Sequence, residues 1–470
     1  MSMRVVYDCE TYPNVFTLSA EHADSPIKWA FEISPWKDDS RAIVEWVQWL
    51  VGHGAQMVGF NNVNFDYPVL HTLLQMGKAT PQILYDKAMS IIHAQDSNRF
   101  ASIVYPSDRY IEQIDLFKIH HFDNKARSTS LKALEFNMRM DNISDLPFPV
   151  GSILTRDQVP VLLDYNAHDV TATKRFYHQS IEQIEFRVAL SKKHGRDFMN
   201  HSDVKIGKEI FQMELEKAGV QCYKYGPNGR EPAQTKRASI VLRDCILPWI
   251  VFENPEFNRI HQWLKEQVIT ETKGVFTDLT ASAYGLEFVF GTGGLHASVE
   301  NRVISETEDR VIESKDVSSY YPNLSIVNRF YPEHLTEKFC DVYQSVYEQR
   351  KSHKKGTIEN AALKLSLNGA YGASNDKFSV FFDPMFTLKI TLNGQMLLCL
   401  LIEKLCKIPT VEIIICNTDG LEYTIHPDRV ADADNVCSKW CELTGLVLEG
   451  ARYSKMFIRD CNSYIAVYKD

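Results

Sequence analysis

The chain has 470 residues, of which 44% are hydrophobic and 24% charged, with a formal net charge of −9. That length exceeds one ordinary core and predicts about three units at ~100–200 residues each, and the composition is that of a globular protein. No uninterrupted apolar run of about 18 residues stands out and the first residues lead into a strand, so neither a membrane span nor a signal peptide is expected and a cytoplasmic protein is the simplest reading.

The ten cysteines are scattered, and the closest pair, Cys437 and Cys441, has no neighbouring His or Cys. Reduced, mostly buried thiols are expected, not a zinc site. The acidic balance argues only weakly against a polyanionic partner, because a carboxylate-rich site and a basic groove can coexist. Arg350, Lys351, Lys354 and Lys355 form a local basic stretch.

The first predicted element is a strand over RVVYD, residues 4–8, with Glu10 just beyond. Residues i and i+2 of a strand share a face, so Asp8 and Glu10 point to one place, an unfavourable pairing unless a cation sits between them. MVGFNNVNFDYPVL predicts a buried strand from Met57 to Phe60, an Asn-rich turn and a helix opening near Asp66. DYNAHDVTAT has a helical pattern that puts Tyr165 and Asp169 on one face. Taken singly, each acid is also readable as a helix cap or a solvated surface group. The ordered set of three motifs favours a site of hard oxygen donors suited to Mg²⁺ or Mn²⁺.

From about 180 to 275, helical patterns alternate with KYGPNGREPAQTKR, which reads as a loop or irregular connector. Lys236, Arg237 and Arg243 read as solvated charges, with nucleic-acid backbone contacts as the alternative. The glycines of FGTGGLHASVENR permit a close backbone approach or a plain tight turn. RVIESKD is a strand ending at Asp316, and VSSYYPN predicts a turn leaving it, since Pro322 cannot continue a central ladder.

A helix starting near Thr357 places Lys364, Asn368 and Tyr371 on one stripe at i, i+4 and i+7. A cation, an amide and an aromatic ring make a poor core face and a good surface for a triphosphate and a base. Arg350 and Lys354 stand at i and i+4 on the preceding helix, across a short polar loop containing Gly356; a solvated basic face is the alternative for these two. VEIIICNTDGLEYTIH predicts a hairpin turning at Thr418-Asp419-Gly420.

Residues 1–180 resemble the DEDD 3′–5′ exonuclease module in its tyrosine-bearing form. The resemblance implies that Asp8, Glu10, Asp66 and Asp169 hold two divalent metals and that Tyr165 orients the attacking water. It also gives Lys132, in RSTSLKALEF, a contact to the scissile phosphate, although a surface lysine is as good a reading of that residue.

The remainder resembles family B DNA polymerases of the compact phage or viral type. Asp316, Ser319, Tyr321 and Pro322 match Asp-x-x-Ser-Leu-Tyr-Pro, with Tyr320 where Leu is usual. KLSLNGAYG matches Lys-x-x-x-Asn-Ser-x-Tyr-Gly except at Gly369, where Ser is common. NTDG is similar to Asp-Thr-Asp-Ser, with Asn417 and Gly420 as departures, and KMF is similar to Lys-x-Tyr, with Lys455 matching and Phe457 in the tyrosine position. Gly293 and Gly294 match a template-touching Gly-Gly segment.

By that resemblance Asp316 and Asp419 bind two metals, and Tyr321 packs under the sugar and excludes a 2′-hydroxyl. Arg350, Lys354, Lys364 and Asn368 bind the nucleotide, while Tyr371, Lys455, Gly293 and Gly294 contact DNA.

The fold so implied is mixed α/β: a ribonuclease H-like exonuclease domain over 1–185, a connector over 186–275, a palm over 276–325 and 376–470, and two-helix fingers over 326–375. The implied activity is DNA-directed DNA synthesis with 3′–5′ proofreading, using two Mg²⁺ or Mn²⁺ ions per site, primer-template DNA and dNTPs. A 3′–5′ exonuclease with a DNA-binding but synthesis-deficient second half is the alternative, and Asn417 is its main support. Only 33 residues separate Asp316 from Arg350, so a nucleic-acid primer is expected in place of a terminal protein. Family B enzymes continue into a thumb where this sequence ends at Asp470. The expectation is therefore a truncated chain, a separate thumb-bearing subunit or processivity factor, or distributive synthesis.

Overall fold

The computed structural model describes residues 3–98, 102–124, 127–227, 229–272 and 274–469. The chain divides into two compact units, Met1–Asp203 and Val204–Asp470. Position 228 of the polar connector and the terminal Asp470 lie outside the described residues.

The first unit runs β1 (Arg4–Tyr12), β2 (Val15–His22), β3 (Lys28–Ile33), α1 (Ser40–Gly52), β4 (Gln56–Gly59), α2 (Asp66–Met76), α3 (Pro81–Asn98), β5 (Glu112–Asp115), α4 (Leu116–Ile119), α5 (Leu131–Asn137), α6 (Val159–Gln179) and α7 (Ile181–His194). Its sheet has the order β3-β2-β1-β4-β5. The first three strands form an antiparallel meander, and β4 and β5 run parallel to β1. Strand side chains alternate between faces. Val5, Tyr7 and Cys9 therefore enter a core with Phe16, Leu18 and Tyr67, while Val6 enters another with Val58, Ile114, Val170 and Phe176. Asp8 and Glu10 follow Val6 onto the face that α6 covers.

α8 (Asp203–Lys217) leads into the second unit. The connector expected to be irregular contains a hairpin, β6 (Tyr223–Gly226) and β7 (Gly229–Pro232), with Arg230 stacked 3.7 Å from the Tyr223 ring centroid. Short strands β8 (Ile240–Val241) and β9 (Val268–Ile269) pair around α9 (Pro255–Glu266).

The main sheet comprises β10 (Thr280–Ala283), β11 (Leu286–Val289), β12 (His296–Ser298), β13 (Arg302–Ser305), β14 (Val311–Val317), β15 (Glu412–Asn417), β16 (Gly420–Ile425), β17 (Leu448–Asp460) and β18 (Ser463–Tyr468). Its order is β10-β11-β12-β15-β16-β14-β17-β13, with β18 also paired to β17. Packed with it are α10 (Tyr320–Asn328), α11 (Lys338–Ser352), α12 (Ile358–Gly372), α13 (Pro384–Leu405) and α14 (Val430–Thr444).

Three expectations need correction here. VSSYYPN makes only a two-residue turn before α10 begins at Tyr320; Pro322 falls in the first helical turn, where its missing N–H costs nothing. α11 ends at Ser352, so Lys354 lies in the loop and not on a helical stripe with Arg350. Asn360 causes this ending, because its Nδ2 donates to the carbonyls of Arg350 (3.0 Å) and His353 (2.9 Å). Finally, α13 is long and apolar enough to cross a membrane by length and composition, with 89% of the relevant window buried. Thr391, Asn393 and Gln395 hide its apolar character in the sequence, and Leu388, Leu397, Leu398 and Leu401 join the core of this unit.

Gly207 of α8 and Gly369 of α12 meet where the two helices cross. A Cβ at Gly369 would stand 2.7 Å from Lys208 N, and one at Gly207 would stand 2.0 Å from Leu365 O. The serine expected at position 369 has no room.

Candidate active sites

In the first unit, Asp8 and Glu10 on β1 and Asp169 on α6 bring carboxylate oxygens within 4.8 Å of one another. Asp66, the first residue of α2, accepts a hydrogen bond at Oδ1 from the Cys9 N–H at 3.2 Å, between the two β1 acids. Burial, then repulsion from Asp66, Glu10 and Asp169, pushes Asp8 well above the usual carboxylate range. Burial and the charges of Asp169 and Asp66 do the same to Glu10. Burial raises Asp66 to about 7 against hydrogen bonds from backbone N–H groups. It raises Asp169 to about 6 against a hydrogen bond with Tyr165. Oxygen donors forced together without compensating charge are the donor set a hard divalent cation requires.

Three residues that sequence reasoning missed organise this site. Asn166 is fully buried and donates from Nδ2 to Asp8 Oδ2 at 2.7 Å; its i, i+3 relation to Asp169 was a usable signal. Asp115 ends β5 and accepts from the N–H groups of Asn61 (2.9 Å), Val63 (3.2 Å) and Phe117 (3.0 Å), which fixes the Asn-rich turn ahead of Asp66. Glu135 pairs with His168 at 3.1 Å, and no sequence pattern linked them. Lys132 pairs with Asp145.

In the second unit, Asp316 on β14 lies opposite Gly420 of β16 and Glu449 of β17. The Val317 N–H donates to the carbonyl of Asp419 at 2.8 Å, which fixes the hairpin turn beside the end of β14. Both aspartates are exposed. Partial desolvation, then the charges of Asp419 and Glu449, raises Asp316; partial desolvation also raises Asp419. Glu422 is buried and stands at about 7 through burial and then the charge of Asp316. Glu422 and Glu449 were not read as site residues, since register alone brings them here.

The departures from the expected motifs have local causes. A Cβ at Gly420 would lie 1.8 Å from Asp316 Oδ1, so a serine there would force that carboxylate to rotate. Asn417 donates from Nδ2 to the Cys461 carbonyl at 2.9 Å and accepts at Oδ1 from Thr418 at 3.1 Å; a carboxylate cannot make the first bond. Gly294 permits a close approach to Thr418, whose Cα would be 2.8 Å from a Cβ at that position. Gln395 holds this loop by bonds to the Gly291 and Gly293 backbone.

Tyr321 stacks on Tyr320 (5.9 Å between centroids) and tilts against Tyr371 (4.5 Å). Tyr320 is buried, with its hydroxyl donating to Gly394 O at 2.6 Å. Arg350 Nη1 donates to Ser319 Oγ at 3.1 Å, which ties α11 to the segment after Asp316. Lys364 and Asn368 are exposed on α12, and Lys354 is exposed in the preceding loop. Lys455 lies over the Phe457 ring at 4.9 Å. Arg237 is not a solvated charge: it binds the buried Asp383 through Nε (2.9 Å) and Nη2 (3.1 Å).

No protein-family model matches the chain, and no curated protein matches it in sequence. Among solved structures, the family B DNA polymerase from the hyperthermophilic archaeon Pyrobaculum calidifontis is similar to it, with a TM-score of 0.51 and 14% identity. The match covers 100% of this chain and 59% of that one, and at this identity it is a likeness of fold.

Proposed function

We propose that the chain is a DNA-directed DNA polymerase with a 3′–5′ exonuclease unit, of the compact phage or viral type and working in a host cytoplasm. The observation that carries this reading is the placement of Asp316 and Asp419 at adjoining strand ends, with Arg350 bonded to Ser319 beside them. In this reading the main sheet is the palm, α11 and α12 are the fingers, and the first unit is ribonuclease H-like.

Asp316 and Asp419 would hold Mg²⁺ or Mn²⁺, two ions per site, as would Asp8, Glu10, Asp66 and Asp169; the all-oxygen donor sets fit hard cations, which supply Lewis-acid stabilisation of a phosphoryl group. The side chains then have distinct tasks. Arg350, Lys354, Lys364 and Asn368 bind the triphosphate by charge-assisted hydrogen bonds. Tyr321, braced by Tyr320 and Tyr371, packs against the sugar where a 2′-hydroxyl would collide. Lys455 contacts the primer, Gly293 and Gly294 lie along the template path, and Tyr165 orients water in the exonuclease site. Primer-template DNA and dNTPs are the substrates.

The test is one labelled primer-template with Mg²⁺, with and without dNTPs. Asp316→Asn and Asp419→Asn should each abolish extension and leave 3′ shortening intact, and Asp8→Asn with Glu10→Gln should do the reverse. Extension that survives in both of the first two variants overturns the proposal.

A further inference from the structure

Asp169 belongs to two donor groups. Besides its cluster with Asp8 and Glu10, its carboxylate, the Glu135 carboxylate and an imidazole nitrogen of His168 all lie within 4.8 Å of one another. Glu135 is 1% exposed and comes from α5, which is capped by Ser130 and packs on α6. His168 and Asp169 are consecutive on α6, so their side chains leave the helix about 100° apart and can flank an ion seated between α5 and α6.

The group carries two carboxylates and one imidazole, and Glu135 Oε2 lies 3.1 Å from His168 Nε2. Protonating the imidazole balances only one of the two anions. Lys132, whose charge also acts on Asp169, is paired with Asp145. A desolvated carboxylate with incomplete compensation is costly, and a divalent cation removes that cost.

We infer that Glu135, His168 and Asp169 form a third cation site, distinct in chemistry from the all-carboxylate set. One nitrogen and two carboxylate donors suit a first-row transition ion such as Mn²⁺ or Co²⁺ better than Mg²⁺, which prefers oxygen and water. Asp169 bridges the two sets, so occupancy here fixes the carboxylate that the first set also uses. The inference stands on the donor geometry and does not need the proposed activity to be correct.

The test uses the full chain carrying Asp8→Asn, Glu10→Gln, Asp316→Asn and Asp419→Asn, which disables both carboxylate sets of the proposed function. Mn²⁺ binding is counted by electron paramagnetic resonance, and Co²⁺ is followed by its visible absorption, where cysteine coordination appears separately as near-ultraviolet charge transfer. One site per chain is expected. It should weaken about 10- to 100-fold in His168→Gln and again in Glu135→Gln, a loss at least that of removing an outer-shell partner. His168 is partly exposed, so His168→Gln should fold, and circular dichroism checks this. Absence of binding, or equal binding with and without His168, overturns the inference and leaves Glu135 and His168 as an ion pair. Primer extension and shortening are scored separately on the unsubstituted chain, so failure of the proposed activity is distinguishable.

Discussion

The helix crossing at Gly369 gives the sharpest test of the packing. A Cβ added there would stand 2.7 Å from Lys208 N, 2.8 Å from Gly207 C and 3.1 Å from Gly207 Cα. Comfortable contacts lie at about 3.5–4.0 Å, and all three obstacles are backbone, so no side chain can swing away and the helices must part by close to an ångström. Overpacking of this kind costs about 1–3 kcal/mol, while replacing a helical glycine by alanine returns about 0.8–1.0 kcal/mol. Gly369→Ala should therefore destabilise the second unit by up to about 2 kcal/mol, or roughly 4–8 °C in melting temperature at ~2–4 °C per kcal/mol. Gly372, on the same helix, has nothing within 4 Å of its would-be Cβ. Gly372→Ala should be neutral or stabilising by about 1 kcal/mol at most. Urea unfolding of the two variants side by side is the assay, and equal tolerance would show that the helices do not cross closely at Gly369.

Asn417→Asp removes the bond to the Cys461 carbonyl and sets a carboxylate against it. It should cost about 1–3 kcal/mol in urea unfolding without strengthening the metal binding proposed at Asp316. Arg237→Ala leaves Asp383, which is 1% exposed, without its bidentate partner and should cost about 3–5 kcal/mol; adding Asp383→Asn should recover part of that in the same unfolding assay. In the absence of divalent metal, the raised acids of the first unit stabilise it below the unfolded carboxylate value of about 4. That contribution is lost as pH rises through the folded values of about 6 for Asp169 and about 7 for Asp66. Thermal melts of the metal-free chain should thus fall from acid to neutral pH, recover with Mg²⁺ at neutral pH, and flatten in Asp66→Asn; a stability that rises with pH would contradict this.

What local sequence predicts well here is what local physics controls. The strand bearing Asp8 and Glu10, the turn into α2 at Asp66, the α12 start capped by Thr357 and the hairpin at Asp419 all lie where alternation, capping and turn chemistry put them. The hairpin β6–β7 was not legible, because the polar Gly- and Pro-containing residues around it read as a loop. The end of α11 was not legible, because the amide that stops it belongs to Asn360 on the next helix.

By itself the sequence determined which candidate residues share a face: the carboxylates, the cations and the tyrosines stand at spacings that period-2 and period-3.6 geometry brings together. Only the tertiary structure decided which of them meet and why three motif positions depart from the usual residue. Gly369 is held by a crossing helix, Gly420 by Asp316 on the neighbouring strand, and Asn417 by the Cys461 carbonyl. Glu135, Glu422 and Glu449 likewise join their sites through packing and strand register, which follow from contacts between residues far apart in the chain and leave no periodic trace within it.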